Sequence, residues 1–287
     1  MIRINSREGG PWPAGAMAGE TTSGTPARGP WAVAAFFALT AALSLPLWWL
    51  GSATGARLLP GLPVSGLMAF CPALAALVLA RREGTARALL ARLVDARAAG
   101  AGWLAFALVA MPAVALLAWL WKTAAGDPLP PPDLPWALAP LLFLAFLAAA
   151  LGEELGWTGF VLDPLRARLG ALGAALLIGA VWAVWHLVPF LQAGRAADWI
   201  AWQMLKTVAA RVVMVWLHQR GGRSVFVVAV FHAASNLSWM MFPNLGSHYD
   251  PRATALIVSA GAVALVLAGG LRAQPGAPSA GSPRSSA

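Results

Sequence analysis

Residues 135–160 read PWALAPLLFLAFLAAALGEELGWTGF. Eighteen residues, Pro135 to Gly152, pass without a charge. An apolar run of about that length is what a helix needs to cross hydrocarbon. The run then meets two adjacent carboxylates, Glu153 and Glu154. Even permissive insertion scales put a charge at a helix centre at about 2.5–3.5 kcal/mol, so charges inside a span are functional by default. Neighbouring helical positions point about 100° apart, so the two carboxylates face different surroundings and cannot share one role. The simpler alternative is an interfacial pair reaching headgroups near a helix end.

The rest of the chain repeats the apolar theme. Of 287 residues, 59% are hydrophobic and 11% charged, with a mean hydropathy of +0.69. A soluble domain is about 25% charged, so lipid is the expected solvent. Eight candidate spans follow from apolar length: Trp31–Leu50, Leu62–Ala80, Trp103–Trp121, Pro135–Phe160, Leu172–Leu191, Trp199–Leu217, Ser224–Phe242 and Thr254–Leu271. The fold class expected is an all-α, polytopic transmembrane helical bundle occupying residues 31–271. Residues 1–30 and 272–287, rich in Gly, Pro and Ser, are expected to be disordered tails. The first apolar run is read as an uncleaved helix rather than a signal peptide. Tryptophans near span ends, such as Trp48, Trp49, Trp103, Trp121 and Trp199, suit interfacial belts. The single cysteine, Cys71, excludes an intramolecular disulfide.

The net charge of +9 does not indicate a nucleic-acid partner, because the basic residues lie in short loops between spans. Alternate tails and loops hold fourteen arginines on one side and four basic residues on the other, with Lys206 and Arg211 inside a span. This alternation is the one eight spans require. By the positive-inside rule it places both termini in the cytoplasm, with the chain in the plasma (inner) membrane of a cell whose alanine-rich composition points to bacteria.

Beyond the glutamates, a few polar residues break the apolar spans. His186 lies four residues after Trp182, on the same helix face. His232 and Asn236 are also four apart, which stacks imidazole and carboxamide one turn from each other. Such a pair can hold an oxyanion, or a metal and its water, or simply tie two helices together. Lys206 is expected to snorkel to an interface, whereas Arg211 is a candidate partner for either glutamate. His218 and His248 fall in expected loops.

These residues carry a family resemblance. The order Glu-Glu in one span, His near the end of the next, and His-x-x-x-Asn two spans later resembles the CAAX-protease and bacteriocin-processing family of intramembrane proteases. Flanking stretches agree. Cys71 to Ala76 is similar to the family's Pro-Ala-Leu-Ala-Ala segment, and Trp182 to Pro189 to its Trp-Ala-x-Trp-His-x-x-Pro segment. Trp216 to Ser224 followed by His232 to Asn236 is similar to its Trp-Leu…Gly-Gly-Ser…His-x-x-x-Asn run. The resemblance runs from Phe70 to Asn236 and is densest from Gly152, with a protease-like core over residues 70–242.

The resemblance implies an endopeptidase acting on membrane-associated peptides or proteins within the bilayer. Glu153 corresponds to the water-activating glutamate, with Glu154 beside it in the motif. His186 orients the water, and His232 and Asn236 stabilise the oxyanion. The family is also described as metal-dependent, in which case Glu153, His186 and His232 are the zinc set; the sequence leaves zinc or no cofactor open. One position departs from the pattern. The motif Glu-Glu-x-x-x-Arg here carries Thr158 in place of arginine, so the second carboxylate lacks its usual neighbour. That departure supports the alternative of a non-catalytic interaction or immunity-type relative with the same fold. A transporter with a charged path is the remaining class, and the spans lack the paired broken helices it calls for.

Overall fold

In a computed structural model the described residues are 28–272, apart from 128, 134 and 135. The two expected tails lie outside them except for residues 28–30 and 272. The described chain is an all-α polytopic bundle. Its principal helices are α1 (Pro30–Thr54), α2 (Cys71–Arg82), α3 (Ala101–Ala124), α4 (Ala139–Trp157), α5 (Leu162–Trp185), α6 (Ala197–Arg220), α7 (Val225–Met240) and α8 (Pro251–Leu267). Each expected span finds one of these helices. Six segments are long and apolar enough to cross a membrane, while α7 and α8 are shorter apolar helices.

Local chemistry sets the ends. Pro30 occupies the first turn of α1, where its missing N–H costs no hydrogen bond, and Gly55 closes that helix in the left-handed conformation. The Ser224 hydroxyl caps α7 by accepting the Val227 N–H at 3.1 Å. Within α5, Gly170 adopts φ 69° and ψ 174°, a conformation open mainly to glycine. The kink separates a short leading helix from the run that reaches His186. A 3₁₀ segment, Val64–Phe70, precedes α2, and a small hairpin pairs β1 (Arg57–Leu59) with β2 (Leu62–Pro63).

Helix α6 is the centre of the bundle, with 67% of its apolar window buried. It packs against α5 and α8, while α7 packs against α4 and α3. Helix α4 meets the 3₁₀ segment and α2 closely through two glycines. A Cβ at Gly152 would lie 2.8 Å from the Ala69 carbonyl, and one at Gly156 would lie 2.7 Å from the Pro72 Cβ. This small-x-x-x-small face lets backbones approach where lipid supplies no hydrophobic drive. It also fixes the turn that carries both glutamates.

The loops sort to two ends. At the arginine-rich end, Arg28 pairs with Glu83 at 2.8 Å, Arg92 donates to the Gly159 and Arg223 carbonyls at 2.9 and 3.2 Å, and Asp95 accepts from Ser224 at 2.7 Å. At the other end, Ser65 donates to Gln192 at 2.6 Å, Gln192 donates to the Trp48 carbonyl at 2.7 Å, and Lys122 pairs with Asp250 at 3.3 Å. Segments assigned to one side by their charges therefore meet one another at one end.

Candidate active site

The paired glutamates occupy the last full turn of α4, and both are buried. Glu154 is 0% exposed and accepts a two-pronged ion pair from Arg211 of α6, at 2.7 and 3.0 Å. The Thr158 hydroxyl donates to the same carboxylate at 2.6 Å, and Arg211 also reaches the Thr158 oxygen at 3.3 Å. His232 Nδ1 lies 3.2 Å from Glu154 Oε1. A carboxylate paired with an arginine can only accept, so this ring nitrogen carries a proton. Glu154 therefore has three partner residues and four donor atoms, and the planar guanidinium fork matches it in two places.

Glu153, one residue earlier, faces elsewhere. Among the described residues its side chain makes one hydrogen bond, accepting from Trp182 Nε1 at 2.6 Å. Trp182 links the whole site. Its ring stands edge-on to His232 and His186, at centroid distances of 5.0 and 5.6 Å, and the Arg211 guanidinium lies 4.3 Å from its centroid. His186 follows one turn later, at the C-cap of α5. Its Nδ1 lies 2.9 Å from the Trp182 carbonyl, so Nδ1 donates and the neutral ring keeps Nε2 as an acceptor.

Glu153, His186, His232 and Asn236 all line one cavity of about 160 Å³, together with Trp182, Gln203, Lys206 and Ser235. That volume holds several waters. Glu154 is not among its lining residues; it stands behind the wall and holds His232.

Residues 135–238, which contain all of these side chains, match the family described as Type II CAAX prenyl endopeptidase Rce1-like. Over that segment the chain is similar to that family. A curated relative, CAAX prenyl protease 2 of Methanococcus maripaludis, is 28% identical over 108 residues, which is 34% of this chain. The chain spans 39% of that relative's length. The densest part of the motif resemblance, from Gly152 to Asn236, lies within the residues that match the family.

Two expectations change within the matched residues. Lys206 does not snorkel. It is 8% exposed, lines the cavity and donates to Ser235 Oγ at 2.7 Å. His218 is not in a loop; it lies in the last turn of α6, fully buried, with Nε2 3.0 Å from Arg92. Trp199, in the first turn of α6, is half-buried, with its ring packed against Phe190, Trp239 and Tyr249.

Sequence reasoning missed Lys206 and Ser235 as cavity residues. A signal was present: Ser235 directly precedes Asn236, and Lys206 follows Gln203 by three residues on one helix face. As for a metal, among the described residues no three His, Cys, Asp or Glu side chains come together closely enough to hold one. The donor set does not fit that site here, so the chemistry below uses no metal.

Proposed function

We propose that the chain is an intramembrane endopeptidase that hydrolyses peptide bonds of membrane-associated proteins or peptides, with residues 70–242 as its working core. The observation that carries this reading is the shared cavity. Glu153, with one neutral donor, faces it beside two imidazoles and a carboxamide.

In the proposed reaction a water lies between Glu153 and His186. His186 Nε2 accepts a hydrogen bond from it, and the Glu153 carboxylate takes its proton as the oxygen attacks the peptide carbonyl. The tetrahedral oxyanion receives hydrogen bonds from the Asn236 amide and from His232, which donates through Nε2 as an imidazolium with Glu154 as counter-ion. Glu153 then returns the proton to the leaving amine, and the C–N bond breaks. Trp182 holds the Glu153 carboxylate in one orientation throughout.

Arg211 weakens the case for a non-catalytic relative. It supplies from α6 the guanidinium that the motif would place at position 158. The decisive test is Glu153→Gln, assayed with a peptide reporter embedded in vesicles beside the purified chain. Turnover is expected to disappear while the melting profile is retained. Unchanged cleavage would overturn the reading.

Access follows from the two ends. The cavity is lined by Pro60, Leu62, Ala193 and Leu245 as well as by the deep residues, and these four belong to the arginine-poor end. With the arginine-rich end in the cytoplasm, substrate enters from the extracytoplasmic side. A cysteine placed at Ala193 tests this, because the native Cys71 is buried. Labelling by a membrane-impermeant maleimide on intact cells is expected; labelling only after lysis would reverse the orientation.

A further inference from the structure

The strongest unexplained feature of the cavity is a cation without an anion. Lys206 is 8% exposed, and its ammonium, with three donors, has a single side-chain partner, the neutral Ser235 hydroxyl. Among the described residues no carboxylate lies within 4.0 Å of it, although Glu154 has an arginine of its own. A buried ammonium is costly unless it is paired or hydrogen-bonded. The one carboxylate that lines the same cavity, Glu153, is held by Trp182 Nε1 and forms no ion pair with Lys206. Gln203, one turn away on α6, and Asn236, next to Ser235 on α7, both present carboxamides to the same cavity.

We infer that Lys206 is the counter-cation for a carboxylate of the bound peptide, so that the cavity selects ligands carrying a negative charge near the scissile bond. An ammonium bonded to a carboxylate forms a short, charge-assisted pair, and binding would complete a wall that is unpaired without ligand. Ser235 orients the ammonium towards the cavity. Two sources offer the same chemistry: the α-carboxylate at a chain terminus and the side chain of Asp or Glu. The assignment rests on the peptidase reading for the kind of ligand, but it concerns binding, not turnover.

The test uses the full chain in nanodiscs and three dansylated apolar pentapeptides. One ends in a free carboxylate, one in a carboxamide, and one in a carboxamide with a glutamate replacing an apolar residue. The wild type is expected to bind at least one of the acidic peptides tenfold or more tightly than the neutral amide. Which acidic peptide is preferred identifies the source of the carboxylate. Lys206→Met should reduce the preference to within twofold, and Lys206→Arg should retain part of it. Equal affinity for all three peptides, no binding of any by the wild type, or a preference that survives in Lys206→Met would overturn the assignment. Should Lys206→Met fail to fold, Lys206→Gln makes the same comparison, and the wild-type contrast needs no variant. A preference for an acidic peptide that is never cleaved would keep the carboxylate site and remove the peptidase reading. Cleavage without preference would do the reverse.

Discussion

Glu153 and Glu154 are neighbours in the chain and opposites in the fold. Behind the cavity wall, Glu154 accepts from Arg211, Thr158 and His232 and is fully buried. In front of it, Glu153 has one neutral donor and faces open space. The 100° between adjacent helical positions produces the split. A carboxylate surrounded by matched donors is fixed as a charge and serves as a support. A carboxylate with an unmet capacity to accept is the one available to take a proton. The back of the site is thus built for rigidity and the front for chemistry, and substitutions on the two sides should fail differently.

The largest expected effect is on the front. Glu153→Gln keeps shape and the Trp182 contact but removes the base, so kcat should fall by about 10²–10⁴-fold, the usual range for general-base catalysis. Its melting temperature in detergent should stay close to that of the wild type. On the back, Arg211→Met leaves the Glu154 carboxylate buried without its cation. Removing one partner of such a pair costs about 3–5 kcal/mol, read as a large drop in thermal stability. Adding Thr158→Arg to that variant moves the guanidinium to the motif position and should restore part of the loss. No recovery would mean that the pair is tied to α6 for packing reasons.

Smaller effects sharpen the contrast. Trp182→Phe deletes the N–H that holds Glu153 but keeps an aromatic ring beside the histidines. One hydrogen bond to a charged group is worth about 1.5–3 kcal/mol, so kcat should fall by roughly ten- to a hundredfold. Thr158→Val removes one of the four donors to Glu154. With the ion pair intact, the expected cost is about 1 kcal/mol, seen in melting and not in kcat. A kcat loss in Thr158→Val as large as that in Trp182→Phe would erase the division between support and chemistry.

Much of the architecture was legible in residue order. Apolar runs of span length gave the helices because hydrocarbon tolerates little else. The alternation of arginines sorted the loops to the ends where the structure places them. Glu153, His186, His232 and Asn236 stood out because a polar side chain within a span requires a partner or a purpose. The same rule failed for Lys206. Sequence offers no means of telling a lysine that reaches a headgroup from one that points inward, since both have the same flexible stem.

The amino-acid sequence by itself determined the polytopic helical class and the sorting of its loops to two ends. These follow from hydropathy, charge and the 3.6-residue repeat, which act locally. Only the tertiary structure decided that Arg211 takes the place left by the missing arginine at position 158, that Glu154 rather than Glu153 receives it, and that Lys206 enters the cavity unpaired. Those outcomes depend on how α4, α5, α6 and α7 are rotated and offset against one another. Backbone approach at Gly152 and Gly156 and the bend at Gly170 set that geometry, and it joins residues up to 78 positions apart.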